Sequence, residues 1–266
     1  MNIFIVEMKA HRKSLIIWAF SILFMVGAGM GKYVGLSSVG QSMTDLFAQM
    51  PKSMKVIMGI GTFDLSKASG FYGMIFFYLL LMATVHAVML GADIISKEER
   101  DRTAEFLLVK PISRNKVITS KLLAGLANII IFNIITLVSS IIIVGKLSKG
   151  EAVSAEIIIL MGGMFILQLM FMLIGTAIAA VGKNPKTATS ISTAVLLITF
   201  IMSIAIDINS KIENLKYLTP FKYYEAKDLM VGGVGFQWSF VTISIIIISA
   251  MLRITYVFYK KRDMSI

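Results

Sequence analysis

Residues 93–121, DIISKEERDRTAEFLLVKPISRNKVITSK, hold twelve of the chain's forty-one charged residues and lie between two long apolar runs. Charge at this density, between runs that can each span a bilayer, places the segment in water and its neighbours in the membrane. Ser96 followed three residues on by Glu99 has the form of a capping box, in which each side chain satisfies an amide left open at a helix start, and it predicts a short helix from there. Glu98 and Arg102, four apart, are expected to pair on one face, with Ala104, Leu107 and Leu108 forming an apolar patch on the last turns. Pro111 ends that helix, because the residue before a proline is driven out of helical space. Ser113 is then placed to cap a new helix entering the next apolar run. The segment reads as a charged helix with an apolar end, lying across one membrane face.

Working outward, the chain is too apolar for a soluble fold: 57% of its 266 residues are hydrophobic and mean hydropathy is +0.82, with several runs near twenty residues. The expected class is all-α integral membrane, a single transmembrane domain over 1–266, with six transmembrane helices at about 15–31, 71–91, 122–144, 157–181, 188–206 and 238–258. Residues 1–14 mix Glu7, Lys9, Arg12 and Lys13 with Ile3, Phe4 and Met8, and are expected to form an interfacial N-terminal helix. A basic stretch before an apolar run also describes a signal peptide, but the run is long and no A-x-A site follows, which favours a retained span. Residues 32–69 turn polar around an amphipathic piece interrupted by Pro51. Residues 182–186, GKNPK, form a tight turn. Residues 209–237, with Pro220 and Gly232-Gly233, are expected to be interfacial or re-entrant, and Trp238 opposite Tyr256, Phe258 and Tyr259 gives the last span an aromatic belt.

The net charge of +11 is distributed over the flanks of spans, which is a topogenic pattern and not a nucleic-acid surface. The side carrying both termini, the 93–121 segment and the 182–186 turn has sixteen Lys or Arg, counting Arg253, against seven acidic residues; the other side has ten against eight. Both termini are therefore expected to be cytoplasmic, in a multi-pass protein of the plasma membrane.

Candidates for chemistry inside the spans are few. His86, Asn128, Asn133 and Gln168 are the polar groups expected to line a pathway or, more simply, to hydrogen-bond between helices. There is no cysteine, no second histidine or carboxylate at metal-ligand spacing from His86, and no G-x-S-x-G or H-E-x-x-H sequence, so no catalytic, metal or cofactor site is expected. The nineteen methionines are scattered through apolar segments and read as packing. No G-x-x-x-x-G-K-[ST] loop is present, since Val26, Ser140 and Ala177 stand where its first glycine would precede the three Gly-Lys pairs; nucleotide chemistry would need another polypeptide.

Thr103, Glu105, Leu107, Leu108, Pro111, Ile112, Ser113, Arg114 and Lys121, after a Glu-rich turn, resemble the first cytoplasmic loop of type-2 ABC export permeases. Arg102 stands where that pattern has glycine, a departure that bears on the local backbone. The resemblance implies a permease subunit that pairs with a second permease copy and with separate ABC ATP-binding subunits, which hold ATP and magnesium, and that exports a drug, peptide antibiotic or similar amphipathic substrate by alternating access. It further implies that Glu98, Glu99, Arg102, Glu105, Phe106, Leu107, Leu108, Pro111, Ser113 and Arg114 make up a cytoplasmic coupling helix and its exit. A secondary transporter or membrane scaffold without an ATPase partner is the alternative; such carriers show internal repeats and midplane ionisable groups, whereas this chain has no repeat and a single histidine within its spans.

Overall fold

Six apolar runs become six helices long and apolar enough to cross a membrane. The computed structural model describes residues 2–38, 47, 49–103, 112–148, 150–230 and 233–261. Among them run α1 (Ile3–Ser38), α2 (Lys52–Ile57), α3 (Ala68–Arg100), α4 (Arg114–Leu147), α5 (Ser154–Val181), α6 (Ala188–Ile208), α7 (Ala226–Leu229) and α8 (Trp238–Lys261), with 3-10 helices at Ser210–Leu218 and Pro220–Lys222. No strand occurs among the described residues.

The most extensive helix contact is between α3 and α5, which are the most buried of the six. Small residues make it possible. A Cβ on Gly91 would lie 2.0 Å from the Met172 carbonyl oxygen, and one on Gly175 2.4 Å from that of Val88, so the two backbones touch where only glycine fits. Around this pair, α4 packs on α3 and α5, α1 on α4 and α3, α8 on α5, and α6 on both central helices. Glu151, from the α4–α5 connection, accepts the Ala68 and Ser69 amides at 3.3 Å each and supplies a carboxylate at the N-terminus of α3.

Two expectations about helix limits are corrected. Residues 1–14 do not form a helix separate from the first span, because α1 runs unbroken for 36 residues from Ile3. No proline or glycine precedes Gly27, and one buried stripe of Ile3, Glu7, His11, Leu15, Ile22 and Val26 continues through the supposed boundary. Nor does a helix begin at Ser96. α3 passes straight through it, and the Ser96 hydroxyl donates to the Ala92 carbonyl at 2.8 Å, the bond a serine makes inside a helix. Residues 209–230 fold back on the bundle: Pro220, Phe221, Tyr223 and Tyr224 are buried, Tyr223 stacks on Phe240 at 4.8 Å, and the Tyr224 hydroxyl lies 2.8 Å from that of Ser244 on α8.

Candidate functional site

α3 ends in a geometry its sequence does not advertise. The Thr103 amide donates to the Glu98 carbonyl at 2.8 Å and the Arg102 amide to that of Glu99 at 3.3 Å, the paired bonds of a Schellman motif. That motif needs a left-handed residue, and Arg102 supplies it at φ 56, the one non-glycine with positive φ among the described residues. The position at which the permease pattern carries glycine thus has the backbone that glycine favours. With Arg102 turned out of the helix, the expected Glu98–Arg102 pair does not form; Glu98 is held by Lys121 at 2.5 Å instead.

Lys121 is fully buried on α4 and is the centre of a charged cluster tying three helices together. Its ammonium donates to the Ile94 carbonyl at 2.6 Å and meets Glu98 of α3 at 2.5 Å and Glu7 of α1 at 3.2 Å. Glu7 also pairs with Lys97, and His11 lies 3.6 Å from Glu7 and 4.0 Å from Asp93, which binds Arg100 at 2.5 Å. A buried lysine against buried carboxylates is tolerable only with such complete partnering. Sequence reasoning missed Glu7, His11, Asp93 and Lys97. The available signal was the four-residue spacing of Glu7 and His11 on an otherwise apolar stripe.

On the far side of the 101–113 connection, Ser113 caps α4, its hydroxyl accepting the Lys116 amide at 3.4 Å, as its position predicts. Arg114 donates to the Lys260 carbonyl at 2.8 Å, and Thr119 meets the Tyr256 hydroxyl at 2.7 Å, so the start of α4 is fastened to the end of α8. Glu99 lies in the last turn of α3. Glu105, Phe106, Leu107, Leu108 and Pro111 lie outside the described residues. The described ends of the connection, at Thr103 and Ile112, are therefore both anchored, and the Lys121 cluster joins the helices that carry them.

Of the intramembrane polar residues, Asn133 and Gln168 pair with each other, whereas Asn128 reaches the α1 stripe beside Glu7. Asn133 donates to Gln168, and the Gln168 amide donates to the Ala83 carbonyl at 3.3 Å, linking α4, α5 and α3. Asn128 donates to the Ala124 carbonyl at 2.8 Å and reaches the Met8 sulfur at 3.2 Å. His86 is stacked on Phe132 at 4.9 Å and edge-on to Trp18 at 5.7 Å, with no hydrogen-bond partner for Nδ1 among the described residues. None of the four lines either of the two cavities bounded by Phe200 and Phe221 or by Phe20 and Phe24, and no group of three metal-ligating side chains occurs among the described residues.

A second charged group stands at the opposite end of α3. Lys222 and Lys227 both bind Asp207, at 2.6 and 3.0 Å, and both bind Glu225, at 2.5 and 2.8 Å. Burial raises the Glu225 carboxyl above its ordinary range although both lysines pull the other way. Burial alone would lower the Lys227 ammonium, but Glu225 and then Asp207 outweigh it and raise it. Desolvation pushes the Tyr223 hydroxyl up to about 12, with Tyr224 adding to it.

The family model described as "ABC-2 family transporter protein" matches residues 1–264. No curated protein matches the chain.

Proposed function

The chain belongs to the ABC-2 transporter family, and from that premise we propose that it is the membrane-spanning subunit of an ATP-driven exporter whose ATP is bound and hydrolysed by a separate subunit. The chain itself is a multi-pass membrane permease of that family. The observation that carries the proposal is the rigid framing of the 101–113 connection: α3 reaches it unbroken from Ala68, α4 leaves it under the Ser113 cap, and Lys121 clamps the two together through Glu98 and Ile94. A partner pressing on that connection moves two long helices as one body, because the buried ion pairs of Lys121 hold α4 to α3. The stretch that follows Glu98, through Leu108, would dock in the partner, Glu105 giving charge selectivity and Phe106, Leu107 and Leu108 acting as apolar anchors, while Glu98 stays on Lys121.

In this reading both termini and the connection are cytoplasmic, the permease works as a pair, and the cargo is amphipathic and crosses by alternating access. The test is the double substitution Glu105→Ala with Leu108→Ala, which removes one charge and one anchor without touching a span. Membrane insertion should be normal, recovery of a P-loop ATPase with the chain from mild detergent should fall, and substrate stimulation of ATP hydrolysis should be lost. Full association and full export in that variant would refute the docking role.

A further inference from the structure

The second half of α1 and the first half of α3 leave an open groove of about 760 Å³ between them. On α1, Phe20, Phe24, Ala28 and Lys32 fall four apart along one stripe, and Met74 and Met82 line the facing side of α3. The two helices come closest at Gly29, where a Cβ would lie 2.7 Å from Ile75 Cδ1. Phe20 and Phe24 are exposed, so the α1 rim of the groove faces outward, toward lipid.

Phe20 and Lys32 are twelve residues apart, about 18 Å at 1.5 Å per residue. One leaflet's share of a hydrocarbon core of about 30 Å is about 15 Å. A hydrocarbon chain lying in the groove therefore reaches the polar surface at Lys32, and along the way it supplies the dispersion contacts that an unfilled gap forfeits. Three polar side chains line the groove: Ser21, Tyr78 and Lys32. The Ser21 hydroxyl donates to the Ile17 carbonyl at 2.9 Å and the Tyr78 hydroxyl to that of Met58 at 3.1 Å. Lys32 is exposed, and its ammonium has no ion pair or hydrogen bond among the described residues. No carboxylate lines the groove. The one unengaged charge at its polar end is thus cationic, and it favours an anionic head group over a zwitterionic one.

We propose that this groove is a site for an anionic phospholipid of the leaflet at the Lys32 end of α1, one acyl chain lying along Phe20, Phe24 and Ala28 and the phosphate meeting Lys32. The site stands on the membrane-spanning fold alone and is measured with the full chain without an ATPase. In a background carrying Trp18→Phe and Trp238→Phe, Phe24→Trp places a single reporter in the groove, eight residues from Lys32. Ile246→Trp, eight residues from the start of α8 and exposed, is the reference at similar depth. Each chain is reconstituted in vesicles mixing phosphatidylcholine with brominated phosphatidylglycerol, and in a reciprocal series with the bromine on the phosphatidylcholine. Bromine quenches tryptophan on contact, so the two series give the relative affinity of the lipids at each reporter. The groove should prefer phosphatidylglycerol roughly fivefold, the scale of one lysine at an anionic head group, and the α8 reference should show close to no preference. Lys32→Ala should bring the groove to parity and Lys32→Glu should reverse its order. Ala28→Phe, which fills the groove and keeps the lysine, should also bring it to parity; should that variant fail to insert, the Lys32 pair still decides. Equal preference at both reporters, or a groove preference that survives Lys32→Ala or Ala28→Phe, overturns the proposal. So does a groove reporter that neither brominated lipid quenches, a result that would mark this face as covered by protein, such as a second copy of the chain.

Discussion

Replacing Lys121 by methionine keeps the length of the side chain and removes the one charge on which three helices converge. The wild-type ammonium is fully buried and holds Glu98 at 2.5 Å, Glu7 at 3.2 Å and the Ile94 carbonyl at 2.6 Å. Removing one partner of a buried pair costs about 3–5 kcal/mol, because the other charge stays behind. Here the lower end applies: Glu7 keeps Lys97 and His11, and the Glu98 side chain, 15% exposed, can turn to water. A loss of about 3 kcal/mol corresponds to a fall in Tm of roughly 6–12 °C on the scaling for chains of 150–250 residues. Thermal unfolding in mild detergent, followed by the fluorescence of Trp18 and Trp238, measures it. The specific claim is electrostatic, so Glu7→Gln combined with Lys121→Met should be less damaged than the sum of the single variants, with coupling above about 1 kcal/mol. An unchanged Tm in Lys121→Met, or strict additivity in the cycle, would refute the assignment of this cluster as the joint between α1, α3 and α4.

Gly91→Ala should cost about 1–3 kcal/mol, since its Cβ meets backbone and not a movable side chain, whereas Gly27→Ala, with nothing within 4 Å of its Cβ, should be neutral or stabilising; Tm in detergent distinguishes them. Arg102→Gly should stabilise the α3 terminus by up to about 1 kcal/mol by removing the strain of φ 56, and Arg102→Ala should not. Gln168→Leu leaves Asn133 and the Ala83 carbonyl without a shared partner and should cost about 1 kcal/mol while leaving transport intact at matched membrane abundance. The Glu225 carboxyl, raised above its ordinary 4.5 by burial, holds its proton more tightly in the folded than in the unfolded chain. Its contribution to stability is therefore full below 4.5 and is lost as pH rises from there through the raised value. Glu225→Gln should flatten that part of the profile of Tm against pH.

The six spans and the cap at Ser113 were legible because each rests on a local signal: an apolar run, or a hydroxyl three residues before an open amide. The Lys121 cluster was not. Its members come from residues 7–11, 93–100 and 121, and nothing periodic relates positions that far apart; only the packing of α1 against α3 and α4 brings them together. The cavity bounded by Phe200 and Phe221 is of the same kind, assembled from α2, α3, α6 and the 220–227 segment. Arg102 is an intermediate case: the resemblance located the position, and the backbone torsion supplied the reason glycine is usual there.

The misplaced helix start at Ser96 has a more general cause. Hydropathy locates the membrane, and a helix need not stop where the membrane does. At 1.5 Å per residue, α1, α3 and α4, with 36, 33 and 34 residues, are about 50–54 Å long, against a hydrocarbon core of about 30 Å. The apolar run of α3 fades at Gly91, but its hydrogen-bond ladder continues for nine further residues to Arg100, and α1 and α4 carry matching polar extensions at 3–14 and 114–121. Three overlong helices protruding together cannot hide apolar faces in lipid at that end, so they bury charges against one another, and the side chains that hydropathy marks as solvent-exposed become the interior. Glu7, at 2% exposure, and Lys121, at 0%, are the outcome. The same geometry explains why the connection at 101–113 begins and ends on rigid ground: its two ends are the tips of a three-helix stalk held shut by ion pairs, and no flexible hinge separates it from the spans.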